Sequence, residues 1–382
     1  MKKIYIALII FAAALLVYSF FAERGFQHRN YFAPLANSFL HGRLDVEPKP
    51  WLNELVPVEG KYYVVYPPAP ALVLLPFAAV FGQNLNQIWP SVLLAAFSVS
   101  IFYLTVAKFA KRDWVAILIT ALFAFGTNFF FTALTGTSWY FAHIATVFFL
   151  SLSLLCATSK KPFLTGLFLG LAFLSRLPTI LAFPVLAFLV LNREKREDWL
   201  GVLTQFVFPV LFAIIIFGLY NFFRFGNFFE TGYSLIPGVL QEPWYNKGIF
   251  NFEYIPRHLK IIFLELPKFS PKFPYFLPSS YGMALWLTTP ALLLIALNKR
   301  TQAVLWFLLS IFLIAIPSLV HGTIGFTQFG YRFSLDYILL FLILLIPIFE
   351  RIGWRLASIF AILSIVINLW VAILFKLGFF HY

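Results

Sequence analysis

The sequence predicts an all-α polytopic integral membrane protein with about eleven transmembrane helices. Of its 382 residues, 61% are hydrophobic and only 11% are charged, whereas soluble domains carry about 25% charged residues. Its apolar runs also approach the roughly 20 residues that a spanning helix needs. One cysteine, Cys156, allows no intrachain disulfide framework. This composition excludes a soluble enzyme, a disordered chain and a nucleic-acid-binding protein of the usual kind.

The first apolar run extends from Ile4 to Phe21 behind two lysines. It is long for a signal peptide and no A-x-A-like site follows it, so we expect an uncleaved anchor. The short runs 163–175 and 177–191 predict two tilted or partly buried spans joined at Arg176. The runs predicted to span after the anchor are 88–107, 114–132, 140–157, 163–175, 177–191, 199–222, 284–297, 302–319, 335–349 and 356–375.

The basic residues predict the orientation of these helices. If the apolar segment 69–82 does not span, five short turns lie on the side of Lys2 and Lys3, and these six stretches hold 14 of the 28 basic residues. Lys and Arg are retained on the cytoplasmic side. We therefore expect a cytoplasmic N-terminus, an external C-terminus and an interfacial or re-entrant helix at 69–82. The five turns are 108–113, 158–162, 192–198, 298–301 and 350–355.

Most of the remaining polar residues are predicted to lie on the external side. Ten of the fifteen acidic residues fall there, so chemistry is expected at that face of a single membrane domain, 1–382. Its two large loops are 23–87 and 223–283. In the first, residues 30–40 have apolar side chains at helical spacing before His41-Gly42, which predicts a surface helix. Tyr62–Pro70 contains three prolines and predicts an extended segment.

The anchor, the loop with its surface helix and the motif YVVYPPAPAL (63–72) together resemble the GT-C glycosyltransferases. That superfamily includes the protein O-mannosyltransferases and the lipid A aminoarabinose transferases. The sequence-level resemblance covers mainly residues 23–110. It implies transfer of a sugar from a polyprenyl-phosphate donor to an acceptor hydroxyl, with inversion, at the plasma membrane. No metal or other cofactor is expected, and the acceptor is a glycolipid, a cell-envelope polymer or a protein.

The sequence departs from the family pattern at the acidic pair that is expected to supply the general base. Better-known members place an acidic pair about four residues before a Tyr in the surface helix. Tyr31 matches that Tyr, but Gln27 and His28 occupy the acidic positions. A carboxylate or histidine must draw the proton from the acceptor, and the candidates for this role are Asp45, His28, Glu23 and Glu54. Each has a structural alternative: a local Arg43–Asp45 pair, an interfacial His28 or Glu23, and a solvated loop charge at Glu54.

Arginine is the side chain best suited to the donor phosphate, because its planar fork pairs with phosphate oxygens. Arg332 and Asp336 are four residues apart, so both are expected on one side of a helix start. Arg332 is the main phosphate candidate, and the alternative is an Arg–Asp clasp. Arg176 is a second candidate. Arg257 and His258 are two more, on a predicted surface helix at 253–267 that equally suits anchoring to anionic lipid.

Aromatic and polar side chains at the external boundary are candidates for contact with the sugar or acceptor. They are Tyr66, Trp139, His143 and Asp336, although aromatic residues there also form interfacial belts. Two other functions stay open: a transporter or flippase, and a catalytically inactive relative of the same fold. The polar residues cluster at one membrane face and no internal repeat is visible, which favours an enzyme over a transporter.

Overall fold

A computed structural model of the chain describes residues 2–23, 29–82, 85–192 and 194–379. Among these residues the structure is largely helical, with two short antiparallel hairpins. The helices are α1 Lys2–Phe21, α2 Phe32–Leu40, α3 Ala69–Phe81, α4 Ile88–Phe109, α5 Asp113–Phe125, α6 Phe129–Leu134, α7 Ser138–Ala157, α8 Pro162–Phe173, α9 Phe183–Leu191, α10 Trp199–Phe225, α11 Ile255–Leu264, α12 Leu285–Thr288, α13 Gln302–Leu319 and α14 Ile338–Lys376. The strands are β1 Leu55–Val58, β2 Lys61–Val64, β3 Lys268–Phe269 and β4 Phe276–Leu277.

The prediction of a largely helical membrane protein is confirmed. Within the described ranges, six helices are long and apolar enough to cross a membrane: α1, α4, α7, α10, α13 and α14. Helix α14 has 39 residues and breaks at Gly353, where φ is 82°, close to the predicted boundary between its two runs. Shorter apolar helices account for most of the other predicted spans, and the count of eleven stays a prediction.

Two predicted spans are interrupted, so their prediction as continuous helices is wrong. The run 114–132 divides into α5 and α6 because Asn128 turns inward and its Nδ2 donates to the Tyr331 carbonyl at 2.9 Å. The run 284–297 becomes α12 followed by a 3-10 helix, Pro290–Leu297. Pro290 forces the residue before it away from helical geometry, and Asn368 Nδ2 donates to the buried carbonyl of Thr288 at 2.7 Å.

The charged turns gather at one end of the helix bundle, which we call the basic end. Lys2 Nζ lies 3.5 Å from Asp113 Oδ2, and Lys160 Nζ lies 3.1 Å from Glu194 Oε1. The backbone N–H of Lys111 donates to a carboxylate oxygen of Glu350. These contacts join turns that are far apart in the chain. The loops that carry the candidate functional residues lie at the opposite end, the site end.

Helix α3 begins and finishes at the site end. The N–H of Ala69 donates to the Leu174 carbonyl at 2.9 Å, just before Arg176. Beyond its other end, the carbonyl of Leu85 accepts from Asn30 Nδ2 at 2.8 Å. A helix of 13 residues is about 20 Å long. It therefore does not cross the bundle.

Helix α7 forms the centre of the bundle and is the most buried of the six long helices. It packs against α4 and α8, while α1 lies at the periphery with an exposed apolar surface. Helix α8 approaches α10 closely because Gly166 has no side chain: a Cβ there would lie 2.0 Å from the Phe206 carbonyl oxygen. The central position of α7 fixes the side chains of its first turns at the site end.

Candidate active site

Glu54 lies at the centre of the candidate site. Its Oε2 accepts hydrogen bonds from the Tyr66 hydroxyl and from Trp139 Nε1, the latter at 3.2 Å. Its backbone N–H donates to the Tyr31 hydroxyl at 3.1 Å, and that hydroxyl donates to Asn53 Oδ1 at 3.0 Å. The carboxylate is thereby held between the first loop and the first turn of α7.

The first hairpin brings Glu54 and Tyr66 together. Leu55 pairs with Val64 in the β1–β2 ladder, so Glu54 precedes the paired segment and Tyr66 follows it. The turn at Glu59-Gly60 has φ of 51° and 78°, the geometry of a two-residue hairpin turn with both φ positive. At the end of α10, buried Arg224 donates to the Val64 carbonyl and fixes this hairpin against the bundle.

Burial raises the pKa of Glu54 to about 7, while the hydrogen bond from Trp139 and the charges of Arg29 and Arg332 act in the opposite direction. The residue is partly exposed. Both hydrogen bonds to the carboxylate engage Oε2, and none of the described residues donates to Oε1. The site therefore holds a carboxyl group whose pKa lies near neutral pH and whose Oε1 accepts no hydrogen bond from the described residues.

Arg332 supplies a cation beside this carboxylate. Its guanidinium carbon lies 5.2 Å from the centre of the Tyr140 ring and 6.0 Å from that of Trp139. The residue is 8% exposed, and its Nε has no acceptor among the described residues. Gly325, with φ of +78°, packs against the guanidinium: a Cβ there would lie 3.0 Å from Arg332 Nε. An anion would satisfy this buried donor.

Arg176, Asp336 and His143 form a second charged cluster. Arg176 Nε donates to Asp336 Oδ1 at 2.8 Å and to Oδ2 at 3.0 Å, and His143 Nδ1 lies 3.1 Å from Oδ1. Burial would raise the pKa of Asp336, but Arg176 and His143 together hold it below its ordinary value. Asp336 thus pairs with Arg176, and the alternative of an Arg332–Asp336 clasp is wrong.

The two clusters meet at Phe333. The guanidinium carbons of Arg176 and Arg332 lie 5.2 and 5.6 Å from the centre of its ring. Trp139 and His143 are one helical turn apart on the same side of α7, so this helix carries a contact to each cluster. The geometry brings together a free carboxylate oxygen, two arginines and aromatic rings, a combination suited to proton transfer beside a bound anion.

The other predicted bases differ in their relation to this arrangement. Asp45 Oδ2 lies 3.6 Å from Arg43 Nη1. This is the local ion pair predicted from the sequence as the alternative to a catalytic role for Asp45. The N–H of Glu23 donates to the Leu134 carbonyl at 3.1 Å, and its carboxylate acts electrostatically on Tyr140 beside Arg332. His28 lies outside the described residues, as does Gln27.

The two candidates on α11 make different contacts. His258 Nε2 donates to the His321 carbonyl at 2.9 Å, and its Nδ1 lies 2.9 Å from the Tyr331 hydroxyl. Burial lowers the pKa of His258 to about 4, so the ring is neutral and both nitrogens are occupied. Arg257 lies over the Tyr254 ring at 4.6 Å and lines a separate surface cleft. Neither side chain meets Glu54 or Arg332 in the described contacts.

Several residues at the site were not predicted from the sequence. Arg29 lies over the Trp139 ring at 5.1 Å, and the charge of Glu242 acts on Glu54. The pKa values of Tyr233 and Tyr245 are raised, chiefly by burial and also by the charge of Glu54. The described residues contain no group of three or more His, Cys, Asp or Glu side chains suited to a metal ion.

Comparison with solved structures identifies the class of fold. The chain has the GT-C fold, that of integral membrane glycosyltransferases. It is similar over 97% of its length to the apo form of the oligosaccharyltransferase of Archaeoglobus fulgidus, with a TM-score of 0.54 and 13% identity. It is also similar to the same enzyme in complex with an inhibitory peptide and a dolichol-phosphate, with a TM-score of 0.50, 14% identity and 97% coverage.

These likenesses concern part of a larger protein. The chain spans 55% of the length of either oligosaccharyltransferase chain. The Saccharomyces cerevisiae protein O-mannosyltransferase Pmt1-Pmt2, bound to its sugar donor, has a TM-score of 0.38 and 15% identity over 67% of this chain and 36% of its own. No family model matches the sequence, and no curated protein matches it.

Proposed function

We propose that this chain is a GT-C-type glycosyltransferase that moves a sugar from a polyprenyl-phosphate donor to an acceptor hydroxyl, with Glu54 as the general base. The observation that carries the proposal is that Glu54, a carboxyl whose pKa is about 7, keeps its Oε1 without a donor among the described residues. A general base is most effective when its pKa lies near the working pH. Trp139 and Tyr66 hold Oε2, so Oε1 faces the acceptor.

In the proposed reaction, the proton of the acceptor hydroxyl passes to Glu54 Oε1. The hydroxyl oxygen attacks the anomeric carbon as the bond from that carbon to the phosphate oxygen breaks, and the electron pair leaves with the phosphate. Attack from the side opposite the phosphate inverts the anomeric centre. Electrostatic stabilisation of the leaving phosphate is the second requirement.

Arg332 and Arg176 are the proposed partners of that phosphate. Among the described residues the Arg332 Nε has no acceptor, which a phosphate oxygen would supply. Asp336 accepts from Arg176 Nε and is itself contacted by His143 Nδ1, and we assign this pair the role of directing the terminal nitrogens of Arg176 towards the site. We assign contact with the sugar to the aromatic side chains of Tyr66 and Trp139.

The proposed orientation follows from the grouping of the charged turns at the basic end. We assign that end to the cytoplasm, because Lys and Arg are retained there. The N-terminus is then cytoplasmic, and the C-terminus and the site are external at the plasma membrane, with about eleven spans counting the shorter helices. The acceptor is a glycolipid, a cell-envelope polymer or a protein.

Release of polyprenyl phosphate by the purified protein in nanodiscs tests this function. Each member of a panel of polyprenyl-monophosphate sugars is supplied in turn, with Arg332→Ala as the test variant and Arg43→Ala as the control. Arg43 lies on the surface and pairs with Asp45. We expect turnover of one donor, retained in Arg43→Ala and lost in Arg332→Ala. The absence of both binding and turnover for every donor in the panel would contradict the proposal and favour the transporter or the inactive relative.

A further inference from the structure

The hairpin that follows α11, residues 268–277, exposes several aromatic side chains. Strands β3 and β4 pair Lys268 with Leu277 and Phe269 with Phe276. The four exposed rings and their exposed fractions are Phe269 76%, Phe273 60%, Tyr275 56% and Phe276 46%. A contiguous apolar patch of this kind marks an interaction surface.

The hairpin is internally ordered, so these rings are presented in a fixed arrangement. The rings of Phe269 and Phe276 contact each other across the strands with their centres 4.9 Å apart. At the tip, the N–H of Ser270 donates to the Tyr275 carbonyl at 2.8 Å. The aromatic rings therefore keep large exposed surfaces even where they contact each other.

The hairpin lies where two long helices end. The Phe273 ring meets that of Phe379 edge to face, with centres 5.4 Å apart, and Phe379 follows the end of α14 at Lys376. Lys376 Nζ donates to the carbonyl of Phe20, next to the last residue of α1. The ends of apolar helices mark the boundary of a bilayer, where aromatic side chains are enriched.

The charge of this segment is complementary to anionic lipid headgroups. Lys268 and Lys272 lie within the hairpin, and residues 266–282 contain no Asp or Glu. The preceding acidic residue, Glu265, accepts a hydrogen bond from the Ser279 hydroxyl at 2.6 Å. Basic side chains near an anionic membrane surface are each stabilised by about 1 kcal/mol.

We propose that the hairpin 268–277 is a docking surface for an anionic phospholipid bilayer. Its aromatic rings enter the headgroup region, and Lys268 and Lys272 contact the lipid phosphates. The proposed occupant is the lipid surface itself, because the exposed rings and the two lysines belong to a hairpin that lies beside the ends of α1 and α14. The proposal does not depend on catalysis by Glu54.

A fluorescent reporter tests this docking directly. In a Cys156→Ser background, Tyr275→Cys is labelled with a polarity-sensitive dye and reconstituted in nanodiscs, and Glu47→Cys provides a control in an exposed polar loop at the same end. We expect blue-shifted emission and quenching by nitroxide lipids at position 275 but not at 47. Water-like emission without quenching at 275 would overturn the proposal. If Tyr275→Cys aggregates, Phe269→Cys reports on the same surface.

Lipid composition tests the charge complementarity. Nanodiscs of phosphatidylcholine alone are compared with nanodiscs that contain phosphatidylglycerol. Each lysine of the hairpin changed to Ala should reduce the preference for anionic lipid about fivefold, which corresponds to about 1 kcal/mol. Equal quenching in both lipids for the unsubstituted hairpin would overturn the anionic part of the proposal.

Discussion

Replacing Glu54 with Gln tests the state of the buried carboxyl without any substrate. The pKa of Glu54 is about 7, against an ordinary 4.5. One unit corresponds to about 1.4 kcal/mol, so the difference of about 2.5 units means that ionised Glu54 lowers the free energy of unfolding by at most roughly 3–4 kcal/mol. Contact of the free oxygen with water reduces this value, because the residue is partly exposed. The Gln amide is neutral, and its oxygen still accepts from Trp139.

The sign of the effect depends on pH. Below 4.5 the carboxyl is protonated in both the folded and the unfolded chain, so Glu54→Gln and the parent protein should be equally stable. Between 4.5 and about 7 the unfolded chain ionises first, so the free energy of unfolding of the parent falls as pH rises. Glu54→Gln should therefore unfold at a temperature a few degrees higher at about pH 8. Thermal unfolding in detergent at both pH values provides the assay, and the same pH dependence in both proteins would refute the reasoning.

Two further substitutions test the cations of the site. Gly325→Ala should raise the donor KM roughly tenfold or more, because a Cβ there would lie 3.0 Å from Arg332 Nε. Gly42→Ala provides the control, because it places an alanine at a similar positive φ of +67° with open space around its Cβ. Equal effects of the two substitutions on the donor KM would contradict the role of the guanidinium. Asp336→Asn leaves a cation without its buried partner and should lower the free energy of unfolding by about 3–5 kcal/mol. Asp45→Asn, at a surface pair, should cost under about 1 kcal/mol, and similar unfolding temperatures for the two variants would count against the buried cluster.

The helical architecture was predictable because apolar length and charge asymmetry are properties of local sequence. A helix is present at Phe32–Leu40, where the sequence predicts one at 30–40. The interruptions of two apolar runs were not predictable, because Asn128 and Asn368 act through carbonyls that are remote in the chain. The two short hairpins were missed as well, since strands of two to four residues give little periodic signal.

The candidate site was predictable in its residue types but not in its arrangement. Glu54, Tyr66 and Trp139 were all candidates, yet nothing in the sequence joins a loop carboxylate to a ring 85 residues later. The pairing of Asp336 with Arg176 likewise crosses 160 residues. Spacing within one segment left an Arg332–Asp336 clasp as the alternative to phosphate binding, whereas the fold directs Arg332 to the aromatic rings of α7.

The central claim is that Glu54 acts in catalysis and not in donor binding. The most direct measurement compares the parent protein with Glu54→Gln in nanodiscs, recording the affinity for the active polyprenyl-phosphate sugar and the release of polyprenyl phosphate in the same sample. We predict unchanged donor affinity and a rate reduced by about 10²–10⁴-fold, the usual contribution of a general base. A rate near that of the parent protein would contradict the assignment of Glu54 as the base.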